Sequence, residues 1–187
     1  IVSSLLSLQS MQSSNPDVQS AIRDSQNRVK TMGLIHEKLY KTENLSRIEF
    51  SDYLQTLTEY LASTYSSSTS RRVQIDIDAK DIFLSADSAI PCGLIITELV
   101  TNSFKYAFPE GQQHDRIEIS MEQTAENRII LSIRDNGRGL PPGFNIRKTD
   151  SLGMNLVQNL ARQLGATLIF ENNNGAVCRL EFAAENG

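Results

Sequence analysis

A chain of 187 residues, 40% of them hydrophobic, has material for one ordinary domain and a small appendage, which excludes wholesale disorder. Its net charge of -4 excludes the basic surface that a nucleic-acid groove or a polybasic membrane module requires. Two cysteines, Cys92 and Cys178, form no Cys-x-x-Cys pair and have no histidine at metal-ligand spacing, so they read as reduced, buried thiols of a cytoplasmic protein.

Residues 1–45 read as two helices. Ile1, Leu5 and Leu8, with Val2 and Leu6 beside them, make the first apolar, and the opening inside a helical pattern without a methionine reads as part of a longer chain. Ser14-Asn15-Pro16-Asp17 breaks it, since Asn-Pro initiates turns and proline suits a first helical turn. The second helix runs to about residue 41, with Val18, Ile22, Ser25, Val29, Met32, His36 and Leu39 at alternating steps of four and three. That seam predicts an antiparallel hairpin pairing with a second copy in a four-helix bundle. His36 lies on the seam and reads as a packed structural histidine, whereas His114 falls in a polar loop.

Ser51 is expected to cap a third helix to about residue 65, and residues 66–70 form a polar loop. Residues 72–79 alternate Val73, Ile75 and Ile77 with polar residues, which predicts a half-buried strand. A long helix over 87–108 follows, then strands at 116–123 and 128–134 joined by a turn. A Gly/Pro-rich loop covers 136–150, a helix 152–164, and a last pair of strands 167–171 and 177–182. Helices beside a mostly antiparallel sheet predict an α+β fold, a two-layer α/β sandwich, behind the hairpin. No apolar run approaches the roughly 20 residues of a membrane span.

Three stretches carry chemistry. Glu98, Asn102 and Lys105 share one stripe of the long helix, opposite Ile96, Val100, Ser103 and Ala107, which can pack on the sheet. An amide oxygen at Asn102 can ligate Mg²⁺, Lys105 can neutralise phosphate, and Glu98 can orient or activate the group attacking a γ-phosphate; the same stripe could be a solvated polar face. Asp135-Asn136-Gly137-Arg138-Gly139 follows a strand. Its two glycines admit a flat ligand and its carboxylate can accept from an exocyclic amine, although Asp and Gly also make ordinary turns. Ser151 to Val157 opens a helix with Gly153 early, where free N–H groups can face an anion.

In this order and spacing the three stretches resemble the boxes of the GHKL ATPase superfamily, with Asn174-Gly175-Ala176 as a last box, over roughly residues 81–184. The run Glu-Leu-Val-Thr-Asn-Ser-Phe-Lys-Tyr-Ala-Phe is close to histidine kinases, and residues 1–10 and 28–40 resemble the hairpin of their HisKA_2 subfamily, related to the HWE kinases. The resemblance implies a Bergerat-type fold that binds ATP and Mg²⁺: Asn102 on the metal, Asp135 on adenine, Lys105 and Tyr106 near the phosphates. Glu98 is the implied catalytic residue, and Gly137, Gly139, Gly153, Met154 and Gly175 complete the ATP-binding set. Residues 140–152 would form a lid hinged at Gly153. Ser151 stands where many relatives have Gly, and Ala176 where many have Thr. The absence of Gly-x-x-x-x-Gly-Lys-Ser/Thr sets the chain apart from P-loop enzymes.

The function so implied is an ATP-dependent protein-histidine kinase of a two-component system. It would dimerise through residues 1–45 and pass phosphate to an aspartate of a response-regulator receiver domain. The implied phosphoacceptor histidine lies about two helical turns before residue 1. The alternatives are an anti-sigma-type serine kinase, a chaperone, mismatch-repair or topoisomerase ATPase, and a non-catalytic dimerisation scaffold.

Overall fold

A computed structural model describes residues 2–41, 48–66, 72–109, 114–149 and 151–184. The expected loops at 67–70 and 111–113, the side chain of seam residue Leu39, and Asp150 in the lid lie outside the described residues.

The hairpin is formed by α1 (Val2–Gln12) and α2 (Pro16–Lys41). Asn15 caps α2, its side-chain oxygen accepting from the Asp17 amide at 2.9 Å, and Pro16 occupies the first turn, where its missing N–H costs nothing. α2 buries one face, which carries Asn27, Thr31 and Ile35, against the rest of the chain. Of the expected seam, Val18 and Met32 are exposed, Ile22, Ser25 and Val29 are half-buried, and His36 is exposed rather than packed within the chain.

A two-residue strand β1 (Ile48–Glu49) pairs antiparallel with β3 (Phe83–Leu84) and brackets α3 (Phe50–Ser66) and β2 (Gln74–Asp78). α3 begins one residue before Ser51, which therefore lies inside the helix and not at its cap. Next come α4 (Ala86–Asn102), β4 (Arg116–Gln123), β5 (Arg128–Asp135), α5 (Leu152–Gln163), β6 (Thr167–Asn172) and β7 (Ala176–Ala183). The expected helix over 87–108 is α-helical only to Asn102 and continues as a π-helical turn, Ser103–Ala107.

The main sheet has the order β2-β4-β5-β7-β6, with β2 parallel to β4 and every other pairing antiparallel. Alternation decides its faces. Ile117, Ile119, Met121, Ile129, Leu131, Ile133, Cys178, Leu180 and Phe182 are buried in one cluster with Ile95, Val100, Val157 and Leu160 of α4 and α5. The opposite face carries ion pairs such as Arg116–Glu118 and Arg128–Glu181. Two layers, helices over one face of an antiparallel-rich sheet, give the expected sandwich. Among the described residues no helix is long and apolar enough to cross a membrane.

Candidate functional site

A cavity of about 850 Å³ opens where α2, the end of α4, the loop after β5, the start of α5 and β7 meet, within the usual size for a ligand pocket. Glu98, Asn102, Lys105, Tyr106, Asp135, Gly139, Gly153 and Met154 all line it. Glu98 and Asp135 are 6% and 5% exposed, while Tyr106 stands at the rim, 63% exposed.

Two of the glycines singled out by sequence lie behind the wall instead. Gly137 packs against the Ala107 carbonyl. Gly175 has φ +130° and lies so close to the Asp135 carbonyl that a Cβ could not fit, so it shapes the strand end that carries Asp135. Gly153 faces the cavity and the Glu98 carboxylate; a Cβ there would sit 2.5 Å from Glu98 Oε2.

Asp135 ends β5 as a hydrogen-bond hub. Its Oδ1 accepts from the Gly137 amide at 2.9 Å and the Ala176 amide at 3.1 Å, and its Oδ2 accepts from the Ser103 hydroxyl at 2.9 Å. The π turn is also tied to this loop through the Arg138 amide, which donates to the Ala107 carbonyl at 2.8 Å.

Residues of α2 that sequence reasoning did not select complete the site: Ala21, Asp24, Ser25 and Arg28 line the same cavity. Arg28 grips Glu98 with Nε 2.6 Å from Oε1 and Nη2 2.9 Å from Oε2. That hydrogen bonding first, then the neighbouring carboxylates' charge, pushes the guanidinium further up against the opposing effect of burial. Lys105 donates to Asp24 at 2.5 Å and to the Ser20 hydroxyl at 3.1 Å. Thr31 and Thr97 share a buried hydrogen bond at 2.8 Å beside these pairs. No periodicity signals such contacts, because the partners stand 70 and 81 residues apart.

The segment expected as a lid is anchored at three points. Asn172 exchanges two hydrogen bonds with the Leu140 backbone, Phe144 meets Phe170 edge-on at 5.3 Å, and the Gln158 amide donates to the Ile146 carbonyl at 2.6 Å. Ser151 caps α5, accepting from the Met154 amide at 3.2 Å.

The site can therefore accept a donor at Asp135, offer cations at Lys105 and Arg28, and place a carboxylate at Glu98. Among the described residues no group of three His, Cys, Asp or Glu side chains is placed to hold a metal. Half-buried Asn102 fits Mg²⁺ as a single protein oxygen ligand, because that ion keeps waters and substrate phosphates as its others.

Comparison with known proteins gives two family matches: a histidine kinase family over residues 1–65, and the histidine kinase-, DNA gyrase B-, and HSP90-like ATPases over residues 88–186. The sensor histidine kinase PdtaS of Mycobacterium tuberculosis is 30% identical over 161 residues, 85% of this chain. The blue-light-activated histidine kinase 2 of Erythrobacter litoralis is 21% identical over 58% of the chain. The chain spans 31% and 32% of the length of these two relatives. Among solved structures, the histidine kinase domain of Erythrobacter litoralis EL346 superposes with a TM-score of 0.73 at 19% identity, over 96% of this chain and 82% of that one. ShkA in complex with AMPPNP superposes with a TM-score of 0.58 at 17% identity, over 90% and 39%.

Proposed function

The chain belongs to the histidine kinase-, DNA gyrase B- and HSP90-like ATPases, on their sensor histidine kinase side, and from that premise we propose that it binds Mg-ATP and catalyses transfer of the γ-phosphate to a histidine. The convergence of Asp135, Asn102, Lys105 and Glu98 on one cavity carries the reading. Asp135 accepts the exocyclic amine of adenine. Asn102 holds Mg²⁺, which supplies charge neutralisation to the phosphates. Lys105 faces the phosphate end.

Glu98 takes the proton of the attacking imidazole as the new P–N bond forms and the bond to the β–γ bridging oxygen breaks, leaving ADP. Glu98 and Lys105 are both engaged by α2, so transfer requires that Arg28 and Asp24 first let go. Neither His36 nor His114 lines the cavity, so neither stands at the proposed phosphate end of the site. A receiver-domain aspartate is the next acceptor. The exposed Val2, Leu5, Leu8, Met11, Val18 and Met32 of the hairpin favour pairing with a second copy.

Nucleotide titration tests the reading. Asn102→Ala is expected to weaken binding only in the presence of Mg²⁺, and Asp135→Asn with or without it, each by roughly tenfold or more. Unchanged affinity in both variants would exclude the assignment. In a protein carrying the acceptor, Glu98→Gln should keep affinity within a few-fold and slow transfer by about 10²-fold.

A further inference from the structure

Helical spacing places Ser103 on the sheet-packing face, and there, against the end of β5, it also lines the cavity. Ser103 keeps the helical backbone of α4, with φ -61° and ψ -45°, and the π turn opens at it. The turn is fixed at both ends. The Ser103 amide bonds back to the carbonyls of Leu99 and Val100, and the Ala107 carbonyl holds the loop that follows Asp135. Ser103 is 7% exposed, and its Oγ donates to Asp135 Oδ2 at 2.9 Å.

A carboxylate has about four lone-pair sites. At Asp135 two are taken on Oδ1 by the Gly137 and Ala176 amides and one on Oδ2 by Ser103. One remains, on the oxygen that Ser103 touches. The Ser103 hydroxyl has committed its only proton to Asp135, so towards the cavity its oxygen offers lone pairs alone. This patch of wall is therefore acceptor-only. It pairs with an N–H and sets oxygen against oxygen if a carbonyl takes the same place.

We infer that Ser103 is a specificity-determining positioning residue, which leaves Asp135 a single directed acceptor and so makes the site prefer a 6-amino purine nucleotide over a 6-oxo one. The inference rests on the reading of Asp135 as the adenine contact. Without the hydroxyl, Oδ2 has a second free site that a water can fill. That water can turn a donor or a lone pair to the base and accept either purine. Selection then weakens while phosphate binding stays as it was.

The experiment titrates the whole chain with Mg-ATP, Mg-inosine triphosphate and Mg-tripolyphosphate. Ser103→Ala should narrow the ATP-to-inosine triphosphate preference by about five- to tenfold, roughly the worth of one hydrogen bond, and leave tripolyphosphate affinity unchanged. Ser103→Thr, which keeps the hydroxyl, should restore the preference; if it does not fold, the alanine variant alone decides. Equal weakening towards both nucleotides, or an unchanged ratio, overturns the inference. Asp135→Asn separates the two layers. If it abolishes the preference while Ser103→Ala does not, only the role of Ser103 fails. If it too leaves the preference intact, the adenine reading of Asp135 fails with it.

Discussion

Arg28 of the hairpin and Glu98 of α4 form a two-pronged ion pair, at 2.6 and 2.9 Å, with side chains 15% and 7% exposed. Fork-to-carboxylate pairing with so little solvent is strong but unforgiving, since removing one partner strands the other's charge. Arg28→Met is expected to cost roughly 3 kcal/mol of unfolding free energy. The Arg28→Met/Glu98→Gln double variant should cost less than the sum of the singles by about 1 kcal/mol or more. Urea unfolding of the four proteins measures the cycle, and strict additivity would show that the pair does not form in solution.

That pair also marks the limit of what the sequence reveals. Strict alternation located the strands Arg116–Gln123 and Arg128–Asp135 to within a residue, because a half-buried strand leaves a two-residue signature. The apolar stripe and Gly165 located α5 equally well. Two-residue strands such as Ile48–Glu49 are too short to show a period, and alternation is silent on whether Gln74–Asp78 runs parallel to its neighbour. Within the site, residues on one helix or loop were legible together. Asp24 and Arg28 were not, because nothing local ties α2 to α4. Helical spacing put Ser103 on the sheet-packing face, where it meets Asp135 at the end of β5, but gave no sign of the π turn that opens there.

Asp24 lines the cavity and holds Lys105, so a triphosphate bound as proposed would meet a carboxylate where it needs a free cation. Asp24→Asn removes the repulsion and loosens the lysine. Mg-ATP should then bind about three- to tenfold more tightly in low salt, with the gain shrinking as ionic strength rises. Weaker binding in this variant, read by calorimetry, would mean that the phosphates lie away from α2.

Burial in β7 pushes the Cys178 thiol up to about 12 from an ordinary 9.0. The unfolded chain's thiol ionises first, so the native state holds the extra proton. This contribution is whole below pH 9, falls by up to about 1.4 kcal/mol per pH unit above it, and is exhausted near pH 12. Burial raises Tyr65 to about 12 as well, from 10.0, so the interval between pH 9 and 10 isolates the cysteine. Across it, wild type should lose more stability than Cys178→Ala, and native Cys178 should react with iodoacetamide at least 100-fold more slowly than a peptide thiol. Parallel stability curves and fast alkylation would place Cys178 in contact with water.

The segment from Leu140 to Thr149 is pinned at Leu140, Phe144 and Ile146, while Pro141, Pro142 and Gly143 between the pins are exposed. Backbone held at its edges and open at its middle unfolds locally at small cost. A nucleotide against Gly139 and Leu140 adds contacts to that open middle, and such closure around a ligand is how lids exclude water. Amide exchange at Gly143, Phe144 and Asn145 is therefore expected to slow about tenfold or more with a non-hydrolysable ATP analogue, while exchange in the β4–β5 pair stays unchanged. Phe144→Ala should speed the exchange without nucleotide and reduce the protection that nucleotide confers. Equal exchange with and without the analogue, in a chain shown to bind it, would mean that these residues are a fixed wall of the cavity and not a lid.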